Sequence, residues 1–514
     1  MRRLIWFVLS ILVVLVILVM YYLNEANPGL LNIINNNMKL LLNYIFIFMI
    51  LSIIFLVIRE NKNPFNTLAW IQVLIFLPVI GFILYIFLGI NYRKNKMFKR
   101  KSVLDDDKIE IYLKKILNTT QDNIIERQLT DNNALRLIHL LYNNNKASLV
   151  NKNKIAIFSS GKDKINSLFD DILNAKEHIH LEYFSIHNDE TGKKLREILI
   201  QKAKEGVKVR LIYDAVGTWR IKKRFWKELV NFGAEVYSFL PVYFPFLNSK
   251  LNYRDHRKCA VIDGKIAYIG GVNIGNQYMG LSKKFGHWRD THLKICGDSV
   301  LLLQKMFLLD WSFVSGQFLV DEHLFPKPEV KDLCPVQIVS SGPDSDWENI
   351  MQAYFAIIAN AEDYIYIESP YMVLNESMLT SLKTAALSGV DVRIILPFKA
   401  DHKIVGYGTH SYYEELLESG VKIYEYLDGF IHSKVFLADD FIVSVGSANM
   451  DIRSFKQNFE LNALVYDKSF ALEMKNIILS DLKNSKCIKL EEYKDRNIFK
   501  KILESLARLF SPLL

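Results

Sequence analysis

The sequence predicts an α/β protein in which an N-terminal transmembrane helical region precedes two similar domains. Three observations lead to this fold class. Long apolar runs occur within the first 101 residues, short β-branched runs alternate with helical patterns after residue 150, and the second half of that stretch repeats the order of the first. With 514 residues, the chain is also too long for one ordinary core, and 50% hydrophobic with 23% charged residues excludes a disordered or fibrous protein.

Three apolar runs make up the predicted membrane region. Leu4–Leu23 is almost uninterrupted, and at about 1.5 Å per residue its helix would span a hydrocarbon core of about 30 Å. Leu40–Ile58 is a second run, and Leu68–Ile90 is a third, in which Pro78 and Gly81 permit a kink or a re-entrant hairpin. We therefore expect two or three membrane crossings.

The distribution of charge predicts the orientation and the partners. Residues 1–101 hold 11 Lys or Arg and 2 Asp or Glu, whereas residues 102–514 hold 53 groups of each sign. The placement of Lys and Arg between the spans favours a cytoplasmic catalytic portion. Because the excess positive charge lies beside the apolar runs, membrane lipids are the expected partner, and the neutral remainder argues against nucleic acid.

The cysteines agree with that location. The chain has four, with no CxxC pair: Cys259, Cys296, Cys334 and Cys487. Such spacing predicts neither a zinc site nor a disulfide framework and fits a reducing compartment.

The chain after residue 150 contains a duplicated unit. Gly206–Arg210 recurs as Gly389–Arg393, and Gly233–Tyr237 recurs as Gly420–Tyr424, with each glycine placed to end a helix before a strand. The expected segments are a membrane region at 1–101, a connecting helical segment at 102–150, domains at 151–330 and 331–490, and an amphipathic C-terminal helix at 491–514.

Each half culminates in the same polar motif. The first half carries His256, Lys258, Asp263 and Asn273, and the second carries His432, Lys434, Asp439 and Asn449. The offset from histidine to asparagine is 17 residues in both. One H-x-K-x4-D motif alone is a weak signal, but two at matching places of a duplicated unit are a strong one.

These residue types suit chemistry on a phosphodiester. On a strand, His256 and Lys258 point to one face, and two such sets converging from two domains would leave a histidine on either side of one phosphorus atom. One neutral imidazole would attack phosphorus and form a phosphohistidine, while the other, protonated, would donate to the leaving oxygen. Lys258, Lys434, Asn273 and Asn449 would bind the phosphate oxygens, and no metal is needed.

A nucleophilic imidazole also needs a partner that fixes its tautomer. The candidates for orienting the histidines are Glu460, eleven residues after Asn449, and Asp290, seventeen residues after Asn273. The sequence does not determine which carboxylate meets which histidine.

The paired motifs resemble those of the phospholipase D superfamily, and further segments resemble the bacterial cardiolipin synthases within it. Those segments are Asn252–Lys258, Val261–Gly264, Gly270–Gly275, Ser369–Tyr371, Gly429–Lys434, Gly446–Phe455, Asn63–Trp70 and Ser511–Leu514. Together they extend over nearly the whole chain, and no catalytic position departs from the pattern.

The resemblance implies two phospholipase D-like α/β/α domains with the active site at their interface. It implies transfer of a phosphatidyl group from one phosphatidylglycerol to the glycerol hydroxyl of another, with release of glycerol and without a cofactor. By this analogy His256 is the nucleophile and His432 the acid and base, but the duplication makes the two roles exchangeable, so the sequence does not determine which histidine attacks. Asp263 and Asp439, counted with the catalytic set, are by the same analogy mostly buried and supportive. The oligomeric state stays open, and a homo-oligomer is among the alternatives.

Several alternatives remain at this point. A membrane-bound phospholipase D would pass the same intermediate to water or another alcohol, and a lipid-binding scaffold would carry a dead site. The C-terminal stretch from Ile498 to Phe510 has helical apolar spacing, which fits packing against the second domain or insertion in the head-group interface. Glu182 and Glu368 end predicted strands and are left outside the site.

Overall fold

The computed structural model describes residues 64–77, 132–241, 252–509 and 511, with scattered positions between 40 and 117. It divides into two compact units, Met1–Asn91 and Tyr92–Leu514. In the first unit, helix α1 (Pro64–Phe76) overlaps the third predicted apolar run. The run Leu4–Leu23 and most of Leu40–Ile58 lie outside the described residues. Within those residues, no helix has the length and apolar character needed to cross a bilayer.

The first half of the second unit alternates strands and helices. Its elements are α2 (Asn132–Asn145), β1 (Leu149–Ser160), α3 (Gly161–Asn174), β2 (His178–Tyr183), α4 (Glu190–Lys204), β3 (Lys208–Asp214), α5 (Lys227–Asn231), β4 (Glu235–Phe239), β5 (Lys258–Ile262), β6 (Ile266–Gly270), β7 (Trp288–Gly297) and α6 (Asp298–Ser315).

The second half repeats this order and then adds a C-terminal extension. Its elements are β8 (Leu333–Ser341), α7 (Asn349–Asn360), β9 (Tyr364–Glu368), β10 (Met372–Val373), α8 (Glu376–Leu387), β11 (Asp391–Pro397), α9 (Lys403–His410), α10 (Tyr413–Glu418), β12 (Lys422–Tyr426), β13 (Phe430–Ile431), β14 (Val435–Ala438), β15 (Ile442–Gly446), β16 (Met450–Asp451), α11 (Ile452–Lys456), β17 (Glu460–Tyr466), α12 (Lys468–Lys483), β18 (Ser485–Cys487), α13 (Leu490–Lys494) and α14 (Ile498–Leu509).

Local sequence signals set the ends of many helices. Ser160, Asp189, Asn375 and Asp467 cap α3, α4, α8 and α12 by accepting a hydrogen bond from a backbone N–H three residues ahead. The four glycines of the repeated segments all adopt positive φ, between +89° and +100°, which ends a helix and turns the chain into the next strand.

Both halves contribute to one continuous sheet. Its strand order is β18-β12-β11-β9-β14-β15-β17-β8-β1-β7-β6-β5-β2-β3-β4. The halves join where β1 pairs antiparallel with β8. Outward from that junction, β7-β6-β5-β2-β3-β4 of the first half has the same order as β17-β15-β14-β9-β11-β12 of the second. The predicted α/β class and the duplication are therefore confirmed.

Helices cover both faces of this sheet. Helices α6 and α12 lie on one face, and Trp311 of α6 and Ile478 of α12 belong to the same buried cluster, so the halves share a core. Helices α3 and α4 cover the other face in the first half, and α7 and α8 cover it in the second. Side chains alternate between these cores: Val261 of β5 faces the shared core, and its neighbour Ala260 faces the other.

Candidate active site

Each motif histidine lies on a segment that pairs with the opposite half. Strand β13 runs parallel to the start of β7, and the backbone N–H of His432 donates to the carbonyl of Arg289 at 2.7 Å. In the matching place, the N–H of His256 donates to the carbonyl of Phe459 at 2.9 Å. The two halves thus exchange short segments, and backbone hydrogen bonds fix where each histidine stands.

This exchange pairs each histidine with a carboxylate from the other half. Nδ1 of His256 lies 3.0 Å from both carboxylate oxygens of Glu460. Nδ1 of His432 lies 2.7 Å from Oδ2 of Asp290. A carboxylate at Nδ1 favours the tautomer with its proton on that atom, which leaves Nε2 to act on a substrate. The structure thus provides the pairing that the sequence left open, and the pairing is crosswise.

Further groups hold the two carboxylates. The Ser447 hydroxyl donates to Glu460 at 2.6 Å, and the Asn458 amide donates to it at 3.2 Å. Asp290 accepts the backbone N–H of Thr291 at 2.8 Å. Gly271 packs so closely that a Cβ atom there would lie 2.1 Å from Oδ1 of Asp290. Any larger residue would therefore displace the carboxylate that orients His432.

Burial keeps the two imidazoles neutral. It lowers the pKa of His256 to about 4, against the opposing attraction of Glu460. Burial, reinforced by the charge of Lys434, likewise lowers the pKa of His432 to about 4, although Asp290 pulls the other way. At neutral pH both rings are therefore free bases with a nitrogen lone pair available.

The two motif lysines are buried beside the histidines. Burial lowers the pKa of Lys258 to about 7 and that of Lys434 to about 8. Nζ of each donates to the carbonyl of its own motif histidine, and Nζ of Lys434 also lies 2.9 Å from Nδ1 of His432. The site thus holds two ammonium groups whose charge is sensitive to pH near neutrality.

Neighbouring positive groups, rather than burial, decide the ionisation of Glu460. Burial alone would raise its pKa, but His256 and then Lys258 hold the pKa below its ordinary value. The carboxylate therefore remains available to stabilise positive charge on the His256 ring.

The two motif asparagines differ in their hydrogen bonds. Oδ1 of Asn273 accepts the backbone N–H of Ser185 at 3.1 Å, and its amide lies 3.3 Å from the Tyr278 hydroxyl. The Asn449 side chain is buried, and its Oδ1 has no hydrogen-bond partner among the described residues. The Asn449 amide meets the Asp451 carboxylate, so only its oxygen is unused, whereas both ends of the Asn273 amide are engaged.

The motif aspartates are not brought together with the histidines. Asp263 occupies the turn after β5, at φ +51°, and accepts backbone N–H groups of Lys176, Glu177 and His178 at 2.8 to 2.9 Å. Asp439 does the same for residues 362–364. The length of β5 separates this turn from Lys258 by about 15 Å. In the structure both aspartates therefore anchor a turn, and a part in the reaction stays a prediction for them.

Several neighbours of the site were not identified from the sequence. The ring of Phe184 meets that of His256 edge-on at 5.0 Å, and the Trp288 ring lies 5.2 Å from that of His432. Glu368, which we left outside the site, accepts a hydrogen bond from Arg289 of the opposite half. Of these neighbours, Trp288 could have been identified from the sequence, because it lies two residues before Asp290 and therefore on the same face of the strand.

Family models match three segments of the chain. The model described as cardiolipin synthase, PLD-like domain, matches residues 168–285 and 354–482, one segment in each half. The model described as phospholipase D-nuclease N-terminal matches residues 45–89.

Named proteins are similar over nearly the full length. A cardiolipin synthase of Geobacillus sp. (strain WCH70) is 43% identical over 90% of this chain and 92% of its own. The major cardiolipin synthase ClsA of Bacillus subtilis (strain 168) is 42% identical over 93% of this chain and 99% of its own. The crystal structure of phosphatidylserine synthase from Haemophilus influenzae Rd KW20 shares the fold, with a TM-score of 0.53 over 74% of this chain and 98% of that one, at 14% identity.

The placement of Asp263 predicts a loss of stability. Replacing Asp263→Ala removes the acceptor of three backbone N–H groups, of which that of His178 is part-buried, and we expect the free energy of unfolding to fall by about 1–3 kcal/mol. Thermal unfolding of the full chain in detergent measures this. His432→Asn serves as the converse control: its amide can still donate a hydrogen bond to Asp290, so it should lower the unfolding temperature less than Asp263→Ala does while removing activity. Loss of turnover by Asp263→Ala at unchanged stability would show that Asp263 takes part in the reaction itself.

Proposed function

The chain belongs to the bacterial cardiolipin synthases of the phospholipase D superfamily, and we propose that it moves a phosphatidyl group between two phosphatidylglycerol molecules. The products are cardiolipin and glycerol. The observation that carries this proposal is the pair of buried histidines, His256 and His432, each held at Nδ1 by a carboxylate of the opposite half. A phosphatidyltransferase needs two such groups, one for each side of phosphorus.

In the first step, Nε2 of His256 attacks the phosphorus of one phosphatidylglycerol. A P–N bond forms and the P–O bond to the head-group glycerol breaks, while His432, protonated, gives its proton to the departing oxygen. Glycerol leaves, and the phosphatidyl group remains on His256. Glu460 stabilises the positive charge that this ring acquires.

In the second step, His432 is neutral and acts as a base. It takes the proton of a glycerol hydroxyl from a second phosphatidylglycerol, whose oxygen then attacks phosphorus as the P–N bond breaks. Cardiolipin forms, His256 is released and His432 is protonated again. One phosphodiester replaces another, so the cycle balances without an external source of energy.

The protonation of His432 depends on the substrate. Burial holds its pKa at about 4, so a proton must be stabilised there when the reaction begins. A bound phosphodiester brings a negative charge to this side of the site and, with Asp290, raises the affinity of the ring for a proton. His432 therefore becomes protonated when the substrate binds, and in the enzyme without substrate both imidazole rings are neutral.

The lysines and asparagines are proposed to bind the phosphate oxygens. Lys258 and Lys434 supply positive charge in a buried place, where an ammonium attracts a phosphodiester more strongly than it would in water. Asn449 is buried beside the second motif, and we propose that an N–H of its amide donates to a phosphate oxygen. Asn273 would bind a phosphate oxygen from the opposite half of the chain.

We also propose a multi-pass membrane enzyme with both catalytic domains on the cytoplasmic side. The apolar runs, the basic residues beside them and the family match at residues 45–89 support this arrangement, and so do four cysteines without a disulfide. The equal strand order of the two halves supports domain limits at 151–330 and 331–490.

A lipid-product assay tests the activity. Purified full-length protein in detergent, given phosphatidylglycerol alone, should form cardiolipin and glycerol without added nucleotide or metal. His256→Ala and His432→Ala should each lower the rate by about 10³-fold or more, since each removes a reacting group. Phosphatidic acid as the main product would show that water is the acceptor, and full activity in both variants would show that the chain is a scaffold.

The buried lysines predict a pH dependence. A lysine whose pKa is lowered is charged below that pKa and neutral above it, so kcat/KM should fall as pH rises through the values of about 7 and 8 for Lys258 and Lys434. Rates in mixed micelles of neutral detergent measure this profile. Lys258→Arg, if it retains turnover, should extend the active range to higher pH because arginine stays charged. A flat profile up to about pH 10, typical of exposed lysines, would contradict the assignment.

A further inference from the structure

The C-terminal helix α14 is oriented with its apolar side outward. Its buried residues are Glu504 and Ala507. Six large apolar side chains are between 44% and 76% exposed: Ile498, Phe499, Ile502, Leu503, Leu506 and Leu509. At 3.6 residues per turn, these six fall within an arc of about 140° on the side away from Glu504. We refer to them as the C-terminal apolar face.

The polar side of α14 holds the helix in this orientation. Glu504 accepts hydrogen bonds from Nε of Arg496 at 2.8 Å and from the Tyr493 hydroxyl at 3.3 Å. Arg508 pairs with Glu415 of α10 and lies over the ring of Tyr412. These buried and half-buried charges would lose their partners if the helix rolled over. The outward position of the C-terminal apolar face is therefore fixed by the fold.

The same surface leads to the active site. Helix α14 packs against α9, which in turn contacts β10, the strand paired with Met450 and Asp451 next to Asn449. Ile404 of α9 is 60% exposed. Just before α9, Asp401 accepts the Tyr371 hydroxyl at 2.6 Å and is close enough to Lys434 to raise the pKa of that lysine. Helix α14 is thus linked through α9 and β10 to the segment that carries Asn449.

We propose that the C-terminal apolar face, together with Ile404, docks on the surface of an anionic phospholipid bilayer and presents the active site to substrate held there. Contiguous apolar side chains of this number mark an interaction surface in a folded domain, whereas single exposed ones do not. Lys500 is exposed and Lys501 half-buried on α14, so the helix edge carries positive charge that matches anionic head groups. The choice of a lipid surface over a second copy of the chain rests on the proposed phospholipid substrate.

Site-directed fluorescence tests the docking without relying on catalysis. In a Cys487→Ser background, Leu506→Cys is labelled with an environment-sensitive dye, and the full chain is reconstituted in vesicles of phosphatidylglycerol and phosphatidylcholine. The matched control is Leu173→Cys on α3, a leucine of the first half that is 39% exposed. A nitroxide on the lipid acyl chain should quench the dye at position 506 but not the dye at position 173. Iodide dissolved in the water should quench the dye at position 173 but not the dye at position 506.

Two outcomes would overturn the proposal. Equal quenching of both dyes by iodide would show that the face is in water. Protection from iodide that grows with the ratio of protein to lipid, without quenching by the acyl nitroxide, would show that a second copy covers the face instead.

An activity comparison separates this proposal from the proposed function. Leu503→Ser with Leu506→Ser should raise the apparent KM for the surface concentration of phosphatidylglycerol about threefold or more at unchanged kcat, because these side chains touch the bilayer and not the site. The matched control is the double variant Leu173→Ser with Leu387→Ser, which replaces two other exposed leucines. It should change neither KM nor kcat. Equal KM values in the two double variants would contradict the docking. Absence of cardiolipin from the unmodified enzyme would instead refute the proposed function, while the quenching result would still stand.

Discussion

The crosswise contact between imidazole and carboxylate is the interaction on which the rest of this structure depends. Each histidine stands on one half of the chain and its carboxylate on the other, so neither half alone contains a complete histidine–carboxylate pair. A buried carboxylate without a partner is costly, and so is a buried imidazolium. The two halves therefore provide partners for each other's buried groups at the place where the phosphodiester is proposed to bind. The contacts that stabilise the folded chain are thus the same ones that orient the proposed reacting groups.

The surrounding architecture keeps this contact in register. The joined sheet and the shared core of α6 and α12 prevent the halves from sliding past one another. Behind the site, Arg289 of the first half binds Glu368 and Asp481 of the second, and its backbone carbonyl receives the N–H of His432. A small shift of the halves would break these buried bonds together, so the geometry of the site is held by more than the two histidine–carboxylate contacts.

The sequence predicted the components of the site better than their connections. The two motifs and their equal offsets are local patterns, and the repeated glycines mark real helix ends. The crossed pairing was beyond reach because it joins residues that are 204 positions apart for His256 and Glu460 and 142 apart for His432 and Asp290. The separation of the aspartates from the histidines was different, because on a strand the spacing between Lys258 and Asp263 already places the aspartate at the opposite end. The exposed side of α14 required the packing of Glu504, since apolar spacing alone does not tell which side faces out.

The most direct test of the central claim is to trap the covalent intermediate. A phosphatidyl ester with p-nitrophenol as its leaving group needs no acid, so His432→Asn should still load His256 but lack the base that starts the second step. After an alkaline quench and proteolysis, mass spectrometry should find the phosphatidyl adduct on the peptide that carries His256, and none in His256→Asn. Release of p-nitrophenol by His432→Asn without an adduct on either motif histidine would contradict the double displacement.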